Sequence, residues 1–329
     1  MKVSILGGGG FVGQKIAARL AQEGTLGGKA VTGLVLFDVA EPPRPHAPFP
    51  VTAVAGDVAD LPAEAVPSDT DVVFHLAAVV SAQAESDYEL GRRVNLRGTD
   101  AVIDACRNLA RPPRVVFTSS VATFSGGQKA VLGDDARQIP ANTYGAQKAA
   151  AELIFADASR RRFLDVVSIR LPTVTVRPGR PNKAASSFVS SIIREPLLGL
   201  PAELPVPQDF AVWVCSPRRA VDWLLHAAVM DTRPMDLDRS VNPPGMSVTV
   251  AHMLQALDEV KPGASSLVQA VEDRAIFDIV SGWPAAFEPV HARTLGFAAH
   301  EPLVDVVRAF VEDDLEMTRA ERGLAASPR

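Results

Sequence analysis

Apolar residues run through the first half of this chain in short unbroken stretches. Each ends in small or polar residues and is followed by a segment whose apolar positions recur every three to four residues. The stretches are 2–6, 32–37, 51–55, 71–78, 114–120 and 163–171, rich in Val, Ile, Leu and Phe. Runs of this length predict strands, and the continuous one at 71–78 a strand covered on both faces. Of the segments between them, 15–20 has helical spacing, and about 85–110 and the Ala-rich stretch near 144–158 read as helices. Such alternation predicts an α/β fold with a doubly wound parallel sheet. Past residue 175 the pattern changes, and Pro172, Pro178, Pro181, Pro196, Pro201, Pro205 and Pro207 cut the chain into short pieces. A smaller C-terminal lobe is expected there. The division predicted is a first domain over 1–175, rejoined by a helix within 215–232, and a lobe made of 176–214 and 233–320. Within the lobe, 248–260 and 303–315 read as amphipathic helices, and 321–329 as a frayed tail.

Composition narrows the function classes. With 329 residues, 47% hydrophobic and 22% charged, the chain can bury a substantial core. A net charge of −5, with no basic run longer than Arg160-Arg161-Arg162, argues against nucleic acid as a partner. No apolar stretch reaches 18 residues and glycines break the one at the N-terminus, so neither a membrane span nor an export signal is expected. Cys106 and Cys215 belong to no Cys-x-x-Cys pair, which suits buried thiols in a reducing compartment, the cytoplasm.

Candidate chemistry gathers where the apolar runs end. The first leads into Gly7-Gly8-Gly9-Gly10-Phe11-Val12-Gly13 and then a helix. Glycines at 7, 10 and 13 permit a tight turn and the close approach of a pyrophosphate, which would rest on the helix's free N–H groups. The second run ends in Asp38, an acid placed to accept hydrogen bonds from both ribose hydroxyls and to repel a 2′-phosphate, which favours NAD over NADP. Arg44, close by, is the residue that would pull the other way. These are the parts of a dinucleotide-binding Rossmann fold. Asp57, after the third run, reads equally as an acceptor for the adenine amino group and as a helix cap. His75 reads as a packed core histidine, and Asn95 as structural support that needs a backbone partner.

The fifth run closes on Thr118-Ser119-Ser120, at the sheet edge where open parallel sheets bind ligands. Ser120 is a candidate donor to a reacting oxygen, the alternative being ordinary turn hydroxyls. Asn142-Thr143-Tyr144-Gly145-Ala146-Gln147-Lys148 then puts a phenol and an ammonium four residues apart on one helix face. The Lys148 charge favours a Tyr144 phenolate. Lowering a tyrosine pKa by roughly three units takes about 4 kcal/mol, more than one ammonium supplies, so the pair asks for a cationic cofactor. Alone, the same spacing equally describes a solvated surface pair. In the lobe, Arg177, Arg194, Arg218 and Arg219 are forks suited to a carboxylate or phosphate, most of them expected at the surface.

In this order the glycine turn, Asp38, the strand-end serines and the Tyr144/Lys148 pair resemble the extended short-chain dehydrogenase/reductase family over nearly the whole chain. The resemblance implies NAD bound at Gly7, Gly10, Phe11, Val12 and Gly13, with its ribose on Asp38 and its adenine by Asp57 and Val58. It implies passage of the cofactor beside Leu76, Ala77 and Ala78, with further contacts from Asn95, Thr118, Pro172 and Thr173. The implied catalytic group is Ser120, Tyr144 and Lys148, with Ser119 as the competing serine. Two departures from the family's wording are Leu6, where Thr is common, and Phe124-Ser125-Gly126, where an aromatic residue directly precedes Gly.

Stretches reaching into the lobe resemble a branch of the family that oxidises a four-carbon sugar acid at its 2-hydroxyl. Among them are Arg177-Pro178-Gly179, Ala185-Ser186-Ser187-Phe188 and Ser281-Gly282-Trp283-Pro284. That branch implies an oxidoreductase whose small acid meets Ser81, Ser120, Val121, Tyr144, Asn182, Ser186 and either Arg177 or Arg218. The same-fold alternative is a nucleotide-sugar epimerase. The family's dehydratases carry an acidic pair where Val121-Ala122 stand, so no carboxylate is available here for elimination. A non-catalytic NAD sensor would be expected to lack Tyr144 or Lys148. The resemblance also implies a homodimer joined through the helices near 85–110 and 144–158.

Overall fold

A computed structural model of the chain describes residues 1–127, 131–180 and 185–325. At its centre are seven strands: β1 (Lys2–Leu6), β2 (Gly33–Asp38), β3 (Val51–Ala55), β4 (Val72–His75), β5 (Arg114–Ser120), β6 (Asp165–Leu171) and β7 (Ser240–Val241). They lie in the order β7-β6-β5-β4-β1-β2-β3, every neighbouring pair parallel. The order reverses at β1, which opens a crevice between the carboxyl ends of β1 and β4. The principal helices are α1 (Phe11–Glu23), α2 (Gly98–Arg107), α3 (Thr143–Arg160), α4 (Ser187–Leu198), α5 (Pro217–Val229), α6 (Val250–Val260) and α7 (Leu303–Asp313).

Strand alternation explains why both faces of the sheet need cover. Leu34 and Leu36 of β2, Val72 and Phe74 of β4 and Val116 of β5 join Ile16 and Leu20 of α1 and Trp223 and Leu224 of α5 in one core. Their neighbours Phe37, Val73, Val115 and Phe117 point the other way, to Val102 and Ile103 of α2 and Phe155 of α3. Each such side chain contributes about 1.5–3 kcal/mol on burial, so a strand with two apolar faces is stable only between two helical layers. A third core lies in the lobe, where Phe188, Ile192, Met253, Leu257, Val307 and Phe310 of α4, α6 and α7 meet. A mixed sheet of Thr173–Val174, Ala211–Cys215 and Met246–Thr249 stands beside it.

Several expectations shift at element ends. The 71–78 run is a strand only to His75, and 76–78 leave the sheet as free chain. The helical region near 85–110 is broken into Ser81–Ser86, Tyr88–Gly91, a π-helical turn over Arg92–Arg97, and α2. Asp87 forces the first break by capping Leu90 N–H at 3.0 Å. Helix α6 begins at Val250 because Thr249 caps it, and Val248 is strand. Helix α7 stops at Asp313, a new turn runs over Leu315–Glu321, and the expected tail's 326–329 lie outside the described residues. Within 233–320, expected in the lobe, Ser240–Val241 pairs with β6 as an edge strand of the main sheet. Among the described residues no helix is long and apolar enough to cross a membrane.

Candidate active site

The turn after β1 is pinned to β2, since Gly7 and Gly8 N–H both donate to the Phe37 carbonyl at 2.8 Å. Gly7 has φ +92, and a Cβ there would lie 2.7 Å from Ala77 N; one on Gly13 would drive into the Gly7 carbonyl oxygen. Only glycine lets the chain double back this tightly. No side chain caps the first turn of α1 and none in it is acidic, so the positive helix end and its N–H groups at Phe11 and Val12 open to the crevice. Asp38 is anchored facing this turn, its Oδ2 accepting from Gly9 N at 2.9 Å and its Oδ1 from Val39 N at 2.8 Å. Arg44 is held by Glu41 at 2.5 Å. Asp57 caps the turn that follows it, with Oδ1 accepting from Ala59 N at 2.8 Å and Oδ2 from Arg93 Nε at 2.7 Å. Burial works against its charge, but these donors hold the carboxyl below its usual range. Val58 beside it is buried against the space left by Gly98. A glycine cradle, an uncapped helix end and an anchored strand-end carboxylate fit a dinucleotide.

The crevice widens into a cleft of about 320 Å³ lined from the ends of β1, β4, β5 and β6. Leu76, Ala78 and Ser81 come after β4, Thr118 to Ala122 from β5 and its following turn, and Pro172 and Thr173 after β6. Ala77 backs the glycine turn. Asn95 is buried below, bonded both ways to the Val79 backbone at 2.9 and 3.0 Å, which is a support role; the cofactor contact the resemblance implied is corrected, since its side chain is spent on Val79 and Gln147 and is absent from the cleft lining. Asp38, Asp57 and Val58 lie outside this cleft, at the ends of β2 and β3. His75 is buried against Phe117, and burial pushes its imidazole down to about 3, so it stays neutral.

Helix α3 delivers the phenol and the ammonium. Asn142 caps it by accepting from Gly145 N at 2.8 Å, and Gly145 lets its first turn lie against the Ala122 carbonyl. Tyr144 then meets Ser120, its hydrogen-bond partner, and Lys148 Nζ donates to the Thr118 carbonyl at 2.7 Å. Burial pushes the Tyr144 phenol up to about 12, while Ser120 and the charge of Arg177 pull it back. Burial pushes Lys148 down to about 7, against the opposing charge of Glu152. Lys148 Nζ is 5.7 Å from the Tyr144 ring centroid, as the four-residue spacing predicts. A second cation, Arg177, also acts on the phenol, which the sequence spacing did not suggest. Desolvation outweighs every local charge, so a phenolate here needs a further positive charge.

Successive strand residues face opposite ways, and this separates the two serines. Ser119 Oγ is bonded to the Glu152 carboxylate, whereas Ser120 Oγ lies in the cleft and accepts from Ala122 N at 3.1 Å. Glu152 also accepts from Arg170 at 2.8 Å, Ser240 Oγ at 2.9 Å and Gln138 at 2.9 Å, a buried node under the cleft.

Of the residues assigned to substrate, Ser81, Val121, Arg177 and Ser186 line the cleft. Asn182 lies outside the described residues. Arg218 is a correction: it pairs with Asp313 at 2.5 Å and Glu312 at 2.9 Å on α7, satisfied there and absent from the cleft lining. Arg177 has no carboxylate partner among the described residues, and Arg194 holds its carbonyl at 2.8 Å. The sequence reading missed Trp283 as a lining residue and Glu152 as the node. Trp283 did stand in a stretch of family wording, but nothing in its spacing pointed to the cleft.

Residues 3–214 match the model of the NAD dependent epimerase/dehydratase family. A D-erythronate dehydrogenase of Cupriavidus necator is 45% identical over 321 residues, 95% of this chain and 98% of that one. A D-erythronate dehydrogenase of Haemophilus influenzae is 38% identical over 320 residues, 96% of this chain and all of its own. A crystal structure described as a nucleoside-diphosphate-sugar epimerase from Agrobacterium tumefaciens is 42% identical, with a TM-score of 0.90 over 96% of this chain and 94% of that one.

Proposed function

Since the chain belongs to the NAD-dependent epimerase/dehydratase family, we propose that it is an NAD-dependent dehydrogenase acting on the 2-hydroxyl of a small sugar acid, converting D-erythronate to 2-dehydro-D-erythronate. The observation that carries this reading is the end-to-end likeness to two relatives of that name, which extends through the lobe as well as the sheet. The Arg177 guanidinium beside Tyr144, half-buried and without a carboxylate partner among the described residues, supports it, because a cation in a substrate cleft asks for an anion.

Bound NAD would supply the hydride acceptor. The residues placed to hold it are the Gly7, Gly10, Phe11, Val12 and Gly13 turn, Asp38 for the ribose, and Lys148 for the ribose nearer the cleft. In this reading Arg177 takes the substrate carboxylate in a forked pair, while Ser186 and Ser81 meet outer hydroxyls. Ser120 donates to the 2-oxygen and Tyr144 accepts its proton. Bringing a phenol from about 12 to near pH 8 takes about 5 kcal/mol of added stabilisation for its anion. Arg177, Lys148 and the cofactor's charge are the groups available to share it. The stretches 176–214 and 233–320 act as the substrate side, 1–175 with 215–232 as the cofactor side, and Ser240–Val241 as a tie between them. The exposed Leu153 on α3 and Tyr88 on the neighbouring helical turn support a homodimer, and the composition suits the cytoplasm.

The description of the Agrobacterium structure favours a second reading, a nucleotide-sugar epimerase that keeps its NAD. Net NADH formation from NAD and D-erythronate separates the two. No NADH from any four- to six-carbon aldonate, with epimerisation of a nucleotide sugar, would reject the dehydrogenase.

A further inference from the structure

The dehydrogenase reading leaves open what sets substrate length, and for this we propose Trp283: its indole is the wall that ends the cleft and confines oxidation to four-carbon acids. Trp283 lines the main cleft with Ser120, Tyr144 and Arg177, and together with Val121 and Thr173 it also borders a small neighbouring space of about 10 Å³ beside Val212 and Trp213. A space of that size holds at most one water, so Trp283, the largest of the three residues that border both, backs onto a packing defect rather than a solid core.

The wall is seated at the serine end. Gly127 N donates to the Gly282 carbonyl at 3.1 Å, and a Cβ on Gly282 would lie 2.5 Å from the Ser125 carbonyl oxygen. Trp283 N donates to the Val280 carbonyl at 3.0 Å. The segment is therefore fixed on the loop that follows Ser120, at the end of the cleft away from the glycine turn. With the carboxylate on Arg177 and C2 at Tyr144 and Ser120, the carbons beyond C2 have only the room that this wall leaves. The indole Nε1–H is buried without an acceptor among the described residues, so the ring meets the substrate by its bulk rather than by a hydrogen bond.

One misfitting carbon unit changes selectivity by about tenfold to two-hundredfold. The test measures kcat/KM for D-erythronate and for five- and six-carbon aldonates on the wild type, Trp283→Ala and Trp283→Phe, with NAD affinity alongside. Expected is a wild type selective for four carbons, and a six-to-four-carbon ratio at least about tenfold higher in Trp283→Ala, with NAD affinity kept. An unchanged ratio in a variant that binds NAD normally overturns the inference, as does a wild type that takes six-carbon acids equally well. If the alanine variant does not fold, Trp283→Phe decides by the five-to-four-carbon ratio, which should rise and, if unmoved, sinks the idea. A wild type inert towards every aldonate overturns the dehydrogenase reading, and this inference with it.

Discussion

Replacing Arg177 with Gln separates the charge of the cleft from its shape. The backbone at this position is anchored without the side chain, Arg177 N donating to Ser190 Oγ at 3.1 Å and its carbonyl accepting from Arg194 at 2.8 Å. The substitution therefore removes a cation and leaves the chain in place. Two losses follow. A charge-assisted hydrogen bond to a carboxylate is worth about 1.5–3 kcal/mol, so kcat/KM for D-erythronate should fall on the order of a hundredfold, mainly through KM. The second loss is a shift in the pH profile. Burial pushes the Tyr144 phenol up to about 12, and the Arg177 charge favours its anion. Without that charge the pKa rises. Because the base acts deprotonated, activity climbs with pH, and the climbing limb moves to higher pH in the variant. The assay is initial-rate NADH formation across pH, with NAD affinity from fluorescence titration as a control that should not change. An unmoved limb together with an unchanged KM refutes the reasoning, and a limb moved to lower pH shows that its sign is wrong.

Tyr144→Phe should cut turnover by about a hundredfold to ten-thousandfold with NAD affinity intact, and retained turnover would remove Tyr144 from the chemistry. Gly13→Ala drives a Cβ into the Gly7 carbonyl, so NAD binding by titration should weaken at least about tenfold; undisturbed binding would mean the cradle is elsewhere. Glu152→Ala strands the Arg170 guanidinium in a buried site, which should cost about 3–5 kcal/mol in denaturant unfolding. A loss under about 1 kcal/mol would contradict the network.

The parts legible in the sequence were those that local pattern encodes. Parallel strands buried twice must be apolar throughout, and a pyrophosphate turn must be glycine, so β1, β2, β4, β5, β6 and the 7–13 turn could be read directly, while the half-exposed edge strand β3 showed only as a weaker run. Tyr144 and Lys148 share a helix face by spacing alone. Ser119 and Ser120 could not be told apart, because which one faces the cleft depends on Glu152, 33 residues further on. β7 has two residues, too few for any periodicity, and pairs through the register of β6. Arg218 looked like a ligand fork until α7 packed beside it with Asp313 and Glu312. Sequence also overrates the Tyr144/Lys148 pair, since the desolvation that dominates both groups exists only after the chain has folded.

The short strand Ser240–Val241 has a consequence for how the protein emerges from the ribosome. The Ser240 hydroxyl is one of the donors to Glu152, and its strand closes the edge beside β6. A nascent chain that has delivered the glycine turn, Ser120, Tyr144 and Lys148 still lacks that edge and that donor. Until residue 241 is out, β6 offers an open row of backbone groups, the kind of edge that recruits other strands. A gene cut after residue 175 would freeze the chain at that stage. Its product should carry every residue of the proton-transfer group and yet aggregate.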